Sequence, residues 1–196
     1  RDVAELERLL GPAQPGQRIT AVPGTGTNVP IWLLGSSMYS AQLAAEKGLP
    51  YAFASHFAPR FLMPAIEIYR ARFKPSATLK KPYVMMGVPV IAAPTDEEAV
   101  FLASSTYQRV LGILTNQRGL LQPPVDRFME SIGPREREAI SDFLAIGVVG
   151  GPETVKKGFQ ALAEATNVDE FMLVSDVYDP DLRLRSLEIA AAAVKA

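Results

Sequence analysis

Few residues in this chain could do chemistry, and those that could stand just after apolar runs. The first group is Gly35-Ser36-Ser37-Met38-Tyr39-Ser40, which follows the run Ile31–Leu34 and opens a helical pattern. Gly35 lets the backbone come close, and Ser36, Ser37 and Ser40 bring hydroxyls to the free N–H groups of a helix start. A turn of this kind can seat a phosphate, with the helix dipole adding to the attraction. Ser37 can equally be an N-cap that satisfies the N–H groups of its own helix. The motif matches neither the P-loop nor the dinucleotide fingerprint.

The second group centres on His56, the 1 histidine of the chain, in Ser55-His56-Phe57-Ala58-Pro59. It lies just past the apolar run Tyr51–Ser55, where it could line a pocket or pack, hydrogen-bonded, beside Phe57. No carboxylate partner for acid–base work is identifiable from the sequence. Ser175-Asp176 ends the last apolar run, with Tyr178 beyond it. Asp176 reads as the cap of the final helix or as a substrate contact. Arg109 and Arg118 are placed to reach an anion or simply to stand in water. Met85 and Met86 read as core filling, and Glu136-Arg137-Glu138 as a solvated helix face.

Composition narrows the field. With 0 cysteines and 1 histidine, the chain cannot build disulfides, a thiol nucleophile or a multi-histidine zinc site by itself. Net charge is -1, from 20 basic and 21 acidic residues, with no basic block to serve as a nucleic-acid footprint. No run of about 18 apolar residues predicts a membrane span, and no signal peptide is visible, so a cytoplasmic protein is expected. At 196 residues and 48% hydrophobic, the chain suits one domain, or a large piece of one.

The elements that must position these residues alternate. A helix is predicted over Asp2–Leu10, then a Gly/Pro/Thr-rich connection over 11–29 with an extended piece at Ile19–Val22. Strands are predicted at Ile31–Leu34, Tyr51–Ser55, Tyr83–Ala92 and Phe171–Ser175. Helices follow them at about Ser37–Lys47, Phe61–Phe73, from Thr95 (a Thr95-Asp-Glu-Glu98 capping box), and Asp181–Val194. An insert over roughly 113–150 carries a helix at Pro134–Ala145 and the short apolar piece Ile146–Val149. Another helix runs from Gly151-Pro152 to about Ala165. The strands are continuous apolar runs, which points to an α/β fold with a parallel sheet buried on both faces. Pro89 inside the third run predicts a bulge or an end of pairing. Four βα units make half of an eight-stranded barrel, or a small open doubly wound sheet. A start on a helix at Arg1, with no strand before it, favours a barrel cut partway round.

Two longer segments carry a family resemblance. Pro30-Ile-Trp-Leu-Leu-Gly-Ser-Ser-Met-Tyr-Ser-Ala-Gln-Leu-Ala-Ala-Glu46 and Gly48-Leu-Pro-Tyr-Ala-Phe-Ala-Ser-His-Phe-Ala-Pro59 resemble the bacterial luciferase-like monooxygenases, flavin-dependent TIM-barrel enzymes. Val149-Gly-Gly-Pro-Glu-Thr-Val155 and Leu182-Arg-Leu-Arg-Ser-Leu-Glu-Ile189 agree with the same family. The resemblance implies reduced FMN, or the deazaflavin F420, as cofactor, and a small organic substrate oxidised with O2, a flavin reductase supplying the reduced flavin. It assigns phosphate contacts to the turn Gly35, Ser36, Ser37, Tyr39 and Ser40, and places His56 beside the flavin ring. A non-catalytic flavin-binding relative is the alternative function. It also implies that residues 1–196 are the C-terminal part of one (β/α)8 domain, strands five to eight, without the N-terminal half that supplies a catalytic histidine. A homodimer, or pairing with that missing half, is then expected.

Overall fold

The computed structural model describes residues 2–195 of the chain. The longest strand, Val84–Ala92, is rich in β-branched and apolar residues and is buried or half-buried at every position. It is the third of five parallel strands: β1 Leu33–Gly35, β2 Tyr51–Phe53, β3 Val84–Ala92, β4 Val148–Gly150 and β5 Glu170–Val174. β2 pairs with the start of β3 (Tyr51 opposite Val84) and β4 with its end (Val90 opposite Val148). β5 pairs along Met85 to Pro89. Tyr83 O accepts from Tyr51 N, Gly87 O accepts from the Ser55 hydroxyl, and Ala93 N donates to Gly150 O. Alternate residues of a strand turn their polar groups to the same edge, so β4 continues the edge that β2 leaves. Pro89 lies on that edge between the two, where no ladder donor is needed.

The helices are α1 Asp2–Leu10, α2 Met38–Lys47, α3 Leu62–Arg72, α4 Asp96–Leu114, α5 Phe128–Ser131, α6 Pro134–Phe143, α7 Pro152–Thr166 and α8 Pro180–Lys195. Their ends carry local signals. Thr95 accepts from Glu98 N at 3.2 Å to start α4, and α6 and α7 begin on proline. Gly48 closes α2 at φ 62, a left-handed turn that suits glycine. Asp96 ties α4 to α7, accepting from Gly151 N at 2.6 Å and from the Thr154 hydroxyl at 3.1 Å. Those bonds hold its carboxyl below the usual range.

One face of the sheet is well covered. Tyr51, Phe53, Val84, Met86, Val88 and Val90 pack against Ala41, Ala44 and Ala45 of α2, Ile66 and Tyr69 of α3, and Val155 and Phe159 of α7. α8 joins the same core through Ala190 and Ala193. The opposite face is covered only toward its C-terminal end, where Ile91 and Val149 meet Ala99, Leu102 and Ala103 of α4. Lower down it is open: Leu34 is 70% exposed and Met172 is 50% exposed. Among the described residues β1 pairs only with β2 and β5 only with β3, leaving two open sheet edges.

Several expectations need correction. The first strand is Leu33–Gly35, not Ile31–Leu34, because pairing begins only at Leu33 opposite Tyr51. The expected extended piece at Ile19–Val22 belongs to no strand and leads into a turn held by Thr25 N on Ala21 O. The piece Ile146–Val149, expected as part of an insert, runs into a fifth strand, β4, at Val148–Gly150. Burial on both faces fails for β1 and β5. No helix among the described residues is long and apolar enough to cross a membrane.

One buried bond fastens α8 to β3. Ser186, 0% exposed, accepts from Ala92 N at 2.8 Å. Ser186→Ala leaves that donor unpaired and should lower unfolding stability by about 1–3 kcal/mol. A urea titration checks it, with the midpoint falling and the slope unchanged. An unmoved midpoint would mean that the Ala92 N–H is satisfied elsewhere.

Candidate functional site

Because the strands are parallel, their C-terminal ends lie together, and the sequence-marked groups follow those ends. The serine turn follows β1. Ser37 caps α2, its hydroxyl accepting from Ser40 N at 3.3 Å. Ser40 donates its own hydroxyl to Ser37 O at 2.7 Å and lies 3.1 Å from the Tyr51 hydroxyl. Burial pushes the Tyr51 pKa up, and the Ser40 bond draws it partly back. A side chain on Gly35 would collide with Ser40, so glycine permits this closed turn. Two of the three hydroxyls are thus committed inside the turn. The Ser36 hydroxyl and the N–H groups of Met38 and Tyr39 have no hydrogen-bond partner among the described residues. Tyr39 is 72% exposed, so the helix end is open to solvent.

His56 follows β2. Its ring stacks on Phe57 at a centroid separation of 4.1 Å and lies over Gly87 of β3. A Cβ at Gly87 would stand 2.8 Å from His56 Nδ1, so only glycine leaves room for the ring. His56 Nδ1 is buried and has no hydrogen-bond partner among the described residues. Burial lowers the His56 pKa from its ordinary 6.5, Asp176 opposes that shift, and Arg109 adds to it.

Arg109 and Asp176 form an ion pair through Arg109 Nη2 and Asp176 Oδ2. The pair joins α4 to the segment after β5, and Thr106, one turn before Arg109, bonds Asp176 O at 3.5 Å. Asp176 does not cap α8 as expected. Asp179 does, its Oδ1 accepting from Asp181 N at 2.9 Å and Leu182 N at 3.0 Å. His56, Arg109 and Asp176, seen separately in the sequence, form one charge cluster. Arg118 does not join it and is exposed. Tyr178 is 48% exposed, and Met86 is fully buried in the core as expected. Arg137 is not solvated as expected. It donates to Met129 O and Ile132 O, each at 3.1 Å, and holds the insert loop.

Two signals for this cluster lay unread in the sequence. Thr106 and Arg109 share a helix face by their spacing, and Gly87 interrupts an apolar strand, which signals close approach. A cavity of about 340 Å³ lies between β3, β4, α4 and α6, lined by Thr106 but by none of His56, Arg109 and Asp176. No metal-binding group of His, Asp or Glu occurs among the described residues.

The family model described as luciferase-like monooxygenase matches residues 8–170. A luciferase-like monooxygenase of Escherichia coli K12 is 42% identical over 190 residues, covering 97% of this chain and 57% of that protein. The chain therefore spans little more than half the length of this relative. The crystal structure of apo-MsnO8 superposes with a TM-score of 0.73 at 30% identity, covering 92% of this chain and 55% of that one. A likeness of fold extends to the oxygenating constituent of 3,6-diketocamphane monooxygenase of Pseudomonas putida, a type II Baeyer-Villiger enzyme solved with FMN. There the TM-score is 0.58 at 22% identity, covering 88% of this chain and 49% of that one.

The close seat of His56 on Gly87 has a measurable consequence. Folding lowers the His56 pKa, so the unfolded chain binds that proton more tightly. Its contribution to stability is present at neutral pH and is lost as pH falls through the unfolded value of 6.5. Gly87→Ala should force the ring outward and raise its titration midpoint toward 6.5, read from the imidazole proton signals of the single histidine. A midpoint that stays low would show that Gly87 does not seat the ring.

Proposed function

The chain belongs to the luciferase-like monooxygenase family, and from that premise we propose that it is part of a flavin-dependent oxidoreductase acting on a small organic substrate. The observation that carries this reading is positional. An open helix N-terminus and a half-buried charge cluster stand at the C-terminal end of the parallel strands, where barrel enzymes place their chemistry.

The residues present fit a flavin phosphate. The Ser36 hydroxyl and the N–H groups of Met38 and Tyr39 are free to donate, and the α2 dipole favours an anion there. Ser37, Ser40, Tyr51 and Gly35 act one step back, holding the turn in shape. FMN is the ligand we assign, with F420 as the alternative. When bound, the reduced flavin supplies the electrons and activates O2. His56 would line the ring side of that site as a neutral imidazole.

The same reading places this chain in a larger (β/α)8 barrel, as its second half. Two open sheet edges and the exposed side chains of Leu34 and Met172 support it, since an isolated apolar face and unpaired edges invite association. The other half, or a second copy, would close them. Reduced flavin would come from a flavin reductase.

The seat is testable by charge. Ser36→Asp puts a carboxylate where the phosphate would sit, outside the helix and its cap. FMN affinity should fall at least about tenfold, or 1.4 kcal/mol, while riboflavin, which lacks the phosphate, binds as before. Flavin fluorescence quenching reads both. Equal FMN affinity in the two proteins rejects the seat.

A further inference from the structure

The two ring nitrogens of His56 stand in unlike surroundings. Nδ1 is buried and unpartnered among the described residues. Nε2 has no partner among them either, but it keeps accessible surface. Asp176, after β5, and Arg109, on α4, act on the ring through space, and neither bonds Nδ1. A neutral imidazole carries its one ring proton on either nitrogen, and the surroundings choose which.

Gly87 decides what Nδ1 meets. A Cβ built on that glycine stands 2.8 Å from Nδ1 and 3.2 Å from Cε1. Glycine carries a hydrogen in that direction instead, so its Cα–H is turned to the Nδ1 edge of the ring. A lone pair on Nδ1 accepts such a contact weakly. An N–H in its place would stand against the Cα–H, with no acceptor and no water to receive it. At Nε2 the same proton is open to hydration. Both effects favour one tautomer.

The neighbouring residues fix this seat. Ser55, fully buried, donates its hydroxyl to Gly87 O, and Phe57 N donates back to Ala54 O at 3.1 Å. The chain is therefore tied on both sides of His56, on one side to the same glycine on which the ring rests. Phe57 also covers the imidazole at a centroid separation of 4.1 Å.

We propose that Ser55 is a positioning residue that holds His56 against Gly87 as the Nε2–H tautomer, so that His56 offers a bound molecule a hydrogen-bond donor and no base. The lone pair of the neutral ring is sealed at Nδ1, out of reach of a substrate proton. Nε2–H is free to donate to an acceptor atom. This deepens the proposed function and rests on its placing of His56 at the ring side of the flavin site.

The single histidine makes the test direct. In the full chain, isotope-labelled and free of flavin, long-range proton–nitrogen correlation spectra of the neutral ring report the tautomer. The Nε2–H form should exceed the Nδ1–H form at least about tenfold, or 1.4 kcal/mol. Ser55→Ala should bring the two nitrogen shifts toward each other, as the loosened ring samples both forms. Ser55→Thr keeps the hydroxyl and should restore the separation. Loss of stability alone would leave the tautomer of the folded protein unchanged. Diethyl pyrocarbonate, which acylates an unprotonated ring nitrogen, gives a second readout. It should modify neutral His56 at least about tenfold more slowly than neutral N-acetylhistidine, the same factor as the tautomer ratio. Ser55→Ala should recover most of that rate. An Nδ1–H spectrum, equal populations, acylation as fast as in N-acetylhistidine, or a Ser55→Ala protein with an unchanged spectrum would each overturn the proposal. If Ser55→Ala does not fold, Ser55→Cys, close in size and a weak donor, takes its place. Neither readout contains flavin, so a failed phosphate seat and a failed tautomer assignment are told apart.

Discussion

Everything in this molecule is registered against β3. β1, β2 and β4 are 3 residues each and β5 is 5, lengths at which a strand has little stability alone. β3, at 9 residues, lends its two edges to three of them in succession. Its alternate side chains face the α2, α3, α7 and α8 layer on one side and α4 on the other. The chemistry inherits the same dependence. Gly87 is the break in β3 through which His56 approaches, and Ile91 and Pro89 floor the cavity between β3, β4, α4 and α6. A disturbance in β3 would therefore reach pairing, packing and site together.

What the sequence discloses follows from how local each signal is. The helices were legible because caps and periodicity are written within a few residues, as at Thr95 and at Pro134 and Pro152. β3 was legible as a long apolar run. β4 was not, since Val148–Gly150 is too short for any periodicity, and its strand character comes from an edge 58 residues away. Asp176 shows the same limit. It and Asp179 are both cap-type residues near the start of α8, and what separates them is Arg109, far back in the chain on α4. The site residues were visible one by one. Their convergence is a property of the sheet.

The serine turn shows how a sequence motif can overstate its free donors. The spacing displays three hydroxyls, but a helix start must first satisfy its own N–H groups. Ser37 is used for that purpose, while Ser40 donates its hydroxyl to Ser37 O, with Tyr51 beside it. What remains for a ligand is mostly backbone. This arrangement is rigid, because the donors belong to the helix and carry little side-chain entropy into binding.

The two candidate contact regions differ in their electrostatics, and the difference has a cause. At α2 no acidic residue lies in the first turn, so the dipole's positive end is unopposed and selects an anion. At α4 the cation Arg109 is matched by Asp176, and His56 resists protonation because burial outweighs the pull of that same carboxylate. Burial is the larger influence on the imidazole, and the guanidinium adds to it. An anion is therefore favoured at the helix start and not beside the ion pair.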